Sequence, residues 1–144
     1  MRTLFNTNYN HRSLDFALLL LRICIAGFML YHGIPKMNGL LAGDMKFADP
    51  IGIGAPASLI LAVFAEVVCS ILIGLGLATR LAVIALIVNM AVAVFVVHAA
   101  DGFEKQESGS HYLLVYIFLL FSGAGKYSVD YLISRSGSRS RRKY

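Results

Sequence analysis

Residues 57–98 read ASLILAVFAEVVCSILIGLGLATRLAVIALIVNMAVAVFVVH, two long apolar runs joined by the short Leu77-Ala78-Thr79-Arg80 connection. Each run holds about 20 residues, enough for a helix to cross a hydrocarbon core of roughly 30 Å. Glu66 falls near the middle of the first run and Asn89 near the middle of the second. The stretch predicts a hairpin of membrane helices with polar groups at mid-depth.

The composition agrees. Of 144 residues 58% are hydrophobic and only 15% charged, and the mean hydropathy is +0.70. A water-soluble domain of this size could not keep so much apolar side chain from water, so the class is integral membrane protein. Cys24 and Cys69 lie singly inside apolar runs, which excludes a disulfide scaffold or a zinc finger. The net charge of +5 is concentrated near the end of the chain. It reads as an orientation signal toward lipid and gives no reason to expect nucleic acid.

Upstream of the hairpin, residues 1–13 are polar and read as a cytoplasmic surface segment. Their length before the first apolar run argues for a retained span over a cleavable signal. Ser13 or Asp15 is the expected helix cap. Span one runs from Leu14 to Gly33, interrupted by Arg22, and Gly33-Ile34-Pro35 is expected to end it. Residues 34–56 then form a Gly/Pro-punctuated connection, with Met45, Phe47 and Ile51 placed to dip into the headgroups.

Spans two and three are Ala57–Leu77 and Arg80–His98, and residues 99–110 read as a solvated loop. Span four starts at His111. Its apolar run YLLVYIFLLF is short, so it must extend past Gly123 toward Tyr131. The reading is an all-α, four-helix transmembrane domain over residues 14–133, followed by a basic tail over 134–144. Arg2, Arg12, Arg80, Lys126 and the tail arginines then share one side, which is expected to place both termini of this multi-pass protein in the cytoplasm.

Counted from the cytoplasmic ends at 1.5 Å per residue, Arg22 lies about 12 Å in, Glu66 about 16 Å and Asn89 about 14 Å. A lone charge at that depth costs about 3 kcal/mol on insertion scales. An Arg22–Glu66 pair, with Asn89 adding a hydrogen bond, is the expected remedy. Ala62, Glu66, Ser70 and Gly74 recur every fourth position, as do Ala85, Asn89 and Ala93. These small-residue stripes let helices approach closely on the polar faces. At the opposite ends of the spans, His32, Lys36, His98, Glu107 and His111 form a second polar level. Histidine beside a carboxylate can shuttle protons or bind metal, but no HxxH or ExxH spacing is present and no metal site is expected.

LRICIAGFMLYHGIPKM, AEVVCSILIGLGLATRLAVIALIVNMAVAVFVVH and HYLLVYIFLLFSGAGKYSVDYL resemble the DoxX family of small four-helix membrane proteins. The family pattern has an arginine in the first helix, an HGxxK ending, a mid-helix glutamate before a G-x-x-x-R turn, and a closing G-x-G-x-x-S-x-D. Here these fall on Arg22, on His32, Gly33 and Lys36, on Glu66, on Gly76 and Arg80, and on Gly123, Gly125, Ser128 and Asp130. Ala124 stands where proline is common.

The resemblance implies membrane redox chemistry, as in thiosulfate:quinone oxidoreductase subunits and complexes that handle oxidative or thiol stress. Many members are known only as membrane proteins. The first reading is therefore a quinone-interacting subunit in which Arg22, Glu66 and Asn89, with His32 and Lys36 at the outer level, bind the ligand. The sequence has no paired-histidine haem pattern, flavin fingerprint or cluster-binding cysteines, so a redox partner protein would supply electrons. No intrinsic cofactor is expected beyond a bound quinone. The other readings are an assembly subunit whose charge pair and stripes dock a partner, and a small-solute transporter that would act as a homodimer.

Overall fold

The computed structural model describes the backbone of residues 10–140 and side chains through residue 136. Residues 1–9 and the tail arginines at 139, 141 and 142 lie outside the described side chains, so the expectations placed on them are not addressed.

The described chain is all-helical. Helix α1 spans His11–Leu41, α2 Ala55–Leu75 and α3 Thr79–Val97, α4 Phe103–Ser122 and α5 Val129–Ser140. The first three are long and apolar enough to cross a membrane. The start of α4, FEKQESGS, is too polar for that, although the helix packs along α3.

The core lies where the helices meet and is built from Ile25, Met29, Ile73, Val83, Leu86, Tyr116 and Leu119. Large apolar side chains also cover the outside, among them Phe28, Leu61, Leu81, Phe95 and Phe121. An apolar exterior around a tightly packed interior is the arrangement of a protein whose solvent is lipid.

Several boundaries differ from the sequence reading. Asn10 caps α1, its side chain accepting from the Arg12 and Ser13 amides at 3.1 and 3.3 Å, so neither Ser13 nor Asp15 does. Asp15 instead accepts from the Lys126 amide at 3.0 Å and ties the α4–α5 connection to α1. Nor does α1 end at Gly33; it runs through Pro35 to Leu41. Proline withholds one donor, that for the Tyr31 carbonyl, and membrane helices absorb such a loss better than helices in water. Residues 99–110 are not all loop, since α4 begins at Phe103, with Gly102 at its N-cap. At its far end α4 stops at Ser122 without reaching Tyr131, because Gly123 takes φ 72°.

Two stretches carry looser helical winding. Phe64–Cys69 of α2 and Ala93–Val97 of α3 are π-helical, as in the hydrogen bond from the His98 amide to the Ala93 carbonyl at 3.0 Å. Such turns widen a helix locally and recur at functional sites. Both face the region described next.

Candidate functional site

A buried stripe runs along α1 through Leu18, Arg22, Ile25, Met29 and Gly33. Lys36 continues it three residues further on, inside the segment expected to be loop. Gly33 lets α1 close onto α2: a Cβ there would stand 2.9 Å from both Glu66 Cβ and Val67 Cγ2. This approach brings the Lys36 ammonium to the Glu66 carboxylate.

Glu66 sits in the π stretch of α2 and is 3% exposed. Its Oε1 accepts from Lys36 Nζ at 2.5 Å and from Asn89 Nδ2 at 3.1 Å. Three helices thus meet on one oxygen. Among the described residues, Oε2 is buried without a hydrogen-bond partner. A buried carboxylate oxygen left unsatisfied costs about 1–3 kcal/mol or more, so this atom marks a place where a donor is wanted. Above the pair, the Phe47 ring lies 5.6 Å from Lys36 Nζ and covers the ammonium with its π face.

Two cavities meet at this carboxylate. The larger, about 570 Å³, lies between α2 and α3 under the Phe47–Ile51 loop. Its walls include Leu61, Phe64, Val88 and Val97, all exposed on the apolar exterior, so it opens toward lipid. The smaller, about 140 Å³, lies between α1, α3 and α4 and is lined by His32, His98, Lys105, Ser108 and Tyr112 among others. His32 packs edge-on to Tyr112, and Tyr112 stacks on the buried Tyr116. Outside the spans, His98 Nδ1 is 2.8 Å from Asp101 Oδ2. That hydrogen bond, helped by Lys105, holds the Asp101 carboxyl below its usual range.

Of the expected site residues, Glu66, Asn89, Lys36 and His32 surround this region, but Arg22 does not. The expected Arg22–Glu66 pair is replaced by Lys36–Glu66. Lys36 and Arg22 stand 14 positions apart on α1, roughly 21 Å along the axis at 1.5 Å per residue. The single polar layer expected from counting residues is therefore two layers. Its depths assumed that all helices begin at one level, whereas the packing register sets which residues face each other.

Arg22 is fully buried at the other end of the bundle. It donates to the Ile73 carbonyl at 3.2 Å and the Tyr127 carbonyl at 2.5 Å. Beside it, Gly76 adopts φ 71°, and a Cβ there would collide with the guanidinium. Asp130 closes the knot, accepting from the Ala78 and Thr79 amides at 2.7 and 3.0 Å and donating its own amide to the Gly76 carbonyl at 2.8 Å. It caps α3 from a distant point in sequence. This also steadies Ala78, whose φ of 48° is unusual for a residue with a Cβ. The arginine and the two glycine motifs are one structural joint.

Sequence reasoning did not link His98, Ser108 or Tyr112 to Glu66, and it missed both π stretches. The sequence reading puts Lys36 at the outer level; the α1 stripe, extended past Pro35, aims it at Glu66.

The DoxX family pattern matches residues 17–99, a span that includes Arg22, Lys36, Glu66, Asn89 and His98. An uncharacterized protein of Haemophilus influenzae is 34% identical over 124 residues, covering 78% of this chain and 87% of that protein. A second uncharacterized protein of the same organism is 29% identical over 127 residues, covering 83% and 84%. No solved structure matches the chain. With more than half its length matched by the family pattern and a relative 34% identical over 78% of it, this membrane protein belongs to the DoxX family.

Proposed function

We propose that the chain is a quinone-interacting subunit of a membrane redox complex, with Glu66, Lys36 and Asn89 as its headgroup site. The observation that carries this reading is the unpartnered Glu66 Oε2, buried where a lipid-facing cavity of about 570 Å³ begins. That volume is typical of small-molecule sites, which are mostly apolar with a few placed polar groups. A hydroxyl of the reduced ligand would donate to Oε2, and the Lys36 ammonium and Asn89 amide are the donors for a carbonyl oxygen of the oxidised form. An isoprenoid tail would leave past Phe64 and Val88. Arg22 has no part in this site, and His32 belongs to its polar rim.

The fourth membrane crossing belongs to this proposal. Helix α4 antiparallel to α3 gives four spans over residues 14–133, with both termini and the Gly76–Arg80 turn on the cytoplasmic side. Arg12, Arg80, Lys126 and Arg135 lie on that side, in keeping with the positive-inside bias. The setting is a bacterial inner membrane, residues 1–13 and 134–144 flank the domain, and electrons come from a redox partner protein.

An assembly role competes with this reading because one carboxylate oxygen ties α1, α2 and α3 together. Purification in nanodiscs, lipid extraction and mass spectrometry on wild type and Glu66→Gln separate the two. Stoichiometric quinone in wild type and its loss in a folded Glu66→Gln is the expected result. Absence of quinone from both, with a protein partner lost from the variant, would overturn the quinone site and leave assembly.

A further inference from the structure

Lys36, Glu66, Ala93 and His98 line both cavities. They form the partition between a small chamber of mixed polar and apolar lining and a large apolar one. We propose that Glu66 is a proton exchanger set in this partition: it takes protons from water through the small cavity and passes them to an acceptor in the large one, with His98 as the relay at the mouth. This rests on the reading of Glu66 as the carboxylate that meets the ligand, but not on the ligand being a quinone.

Three observations carry it. The small cavity, about 140 Å³, has room for roughly four waters at about 30 Å³ each. Its walls offer those waters hydrogen-bonding groups at His32, Ser108 and Tyr112 as well as at the partition. His98 stands at its solvent end, where its Nδ1 is engaged by Asp101 and Nε2 is left to take or give a proton. Glu66 Oε2, buried and unpartnered, is the oxygen free to be protonated, because Oε1 already accepts from Lys36 and Asn89.

The step balances without electrons. One proton from water joins the carboxylate to give the neutral acid, and the acid returns it to an acceptor oxygen in the large cavity. The groups that set the field around Glu66 are His32 and Lys36 from α1, His98 with its Asp101, and Lys105, Tyr112 and Tyr116 from α4.

The test is hydrogen–deuterium exchange of the Glu66 carboxyl followed by infrared spectroscopy in nanodiscs without added quinone. The band is assigned by its loss in Glu66→Gln, at a pH acidic enough to populate the acid. Ser108→Phe, at an exposed position on the small cavity, is expected to slow exchange roughly tenfold, and His98→Gln to slow it by a factor of about three or more. Phe95→Leu, on the outer surface away from both cavities, is expected to leave it unchanged.

Unaltered exchange in folded Ser108→Phe and His98→Gln would overturn the proposal, as would a Glu66 that never shows the acid band. If Ser108→Phe does not fold, His98→Gln decides alone. Quinone retention is measured separately, so its failure with exchange intact would overturn the quinone assignment and leave the proton path standing.

Discussion

Lys36 Nζ lies 2.5 Å from Glu66 Oε1 and joins the last turns of α1 to the π stretch of α2. The pair is asymmetric. The glutamate side chain is 4% exposed and the lysine 33%, so the carboxylate bears most of the desolvation. Charged groups at membrane depth are tolerated when paired with one another, and Lys36 gives Glu66 that partner.

Removing the lysine leaves that carboxylate with Asn89 alone. Lys36→Met is expected to destabilise the protein by about 1–3 kcal/mol, less than a fully buried broken pair because water reaches the lysine. Lys36→Met with Glu66→Gln should recover much of the loss. A double-mutant cycle by thermal or denaturant unfolding in detergent checks this, with a coupling of about 0.5–3 kcal/mol expected for groups in contact. Strict additivity would mean that the pair does not interact.

The Arg22 joint predicts a different pattern. Arg22→Leu would take the donor from the Tyr127 carbonyl and one of two donors from the Ile73 carbonyl, which keeps the Gly76 amide at 3.0 Å, and an unmet acceptor costs about 1–3 kcal/mol. Arg22→Lys is expected to rescue little, since one ammonium on a flexible stem cannot reproduce the forked geometry. Stability should fall in both variants, while quinone retention per folded molecule stays at the wild-type level. A selective loss of quinone from folded Arg22→Lys would return the arginine to the ligand site.

How much of this was legible in the sequence follows from what each signal encodes. Hydropathy and length announce α1, α2 and α3, and the four-residue stripe places Glu66 and Asn89 on facing sides. The Lys36 contact was hidden because Gly-Ile-Pro reads as a stop in water, whereas here the helix runs on through Pro35 to Leu41. Residue counting pairs Arg22 with Glu66, but interhelical register is set by packing, here by Gly33 against Glu66 and Gly74 against Ala26. Nothing in the residue pattern at 64–69 or 93–97 distinguishes a π stretch from ordinary helix. Yet these two stretches shape the cavities.

Asp130 carries the pH dependence that can be assigned outside the spans. Burial alone would raise its carboxyl, but the amide hydrogen bonds from Thr79 and Ala78 and the charge of Arg22 outweigh it and hold the group below its ordinary 3.8. A folded value below the unfolded one means that its contribution is fully present above about pH 4. That contribution disappears as pH falls through the folded value. Asp130→Asn is expected to cost about 1–2 kcal/mol at neutral pH, as for a lost helix cap, and to flatten the acid limb of the stability curve below pH 4. Unfolding midpoints from about pH 2.5 to 7, spanning the acid limb below the ordinary carboxylate value of about 3.9 and the plateau above it, supply the check. An unchanged acid limb would show that Asp130 is not the group responsible.

Close packing by glycine gives the last prediction, and two positions make it comparative. At Gly33 a new Cβ would meet Glu66 Cβ and Val67 Cγ2 at 2.9 Å and the Glu66 backbone carbon at 3.0 Å. At Gly109 it would meet Val94 Cγ2 at 2.7 Å, the end of one side chain. Backbone cannot step aside as a rotamer can, so Gly33→Ala must push α1 off α2, with an overpacking cost of about 1–3 kcal/mol. Gly109→Ala gains helix propensity of roughly 0.8–1 kcal/mol against a strain that one valine can relieve, and its net effect is expected to be small. Because the outward shift also draws Lys36 from Glu66, Gly33→Ala should lose quinone along with stability, whereas Gly109→Ala should keep it. Unfolding midpoints and lipid mass spectrometry on the two variants decide the matter. Equal losses at both positions would show that the approach of α1 to the π stretch of α2 does not build the site.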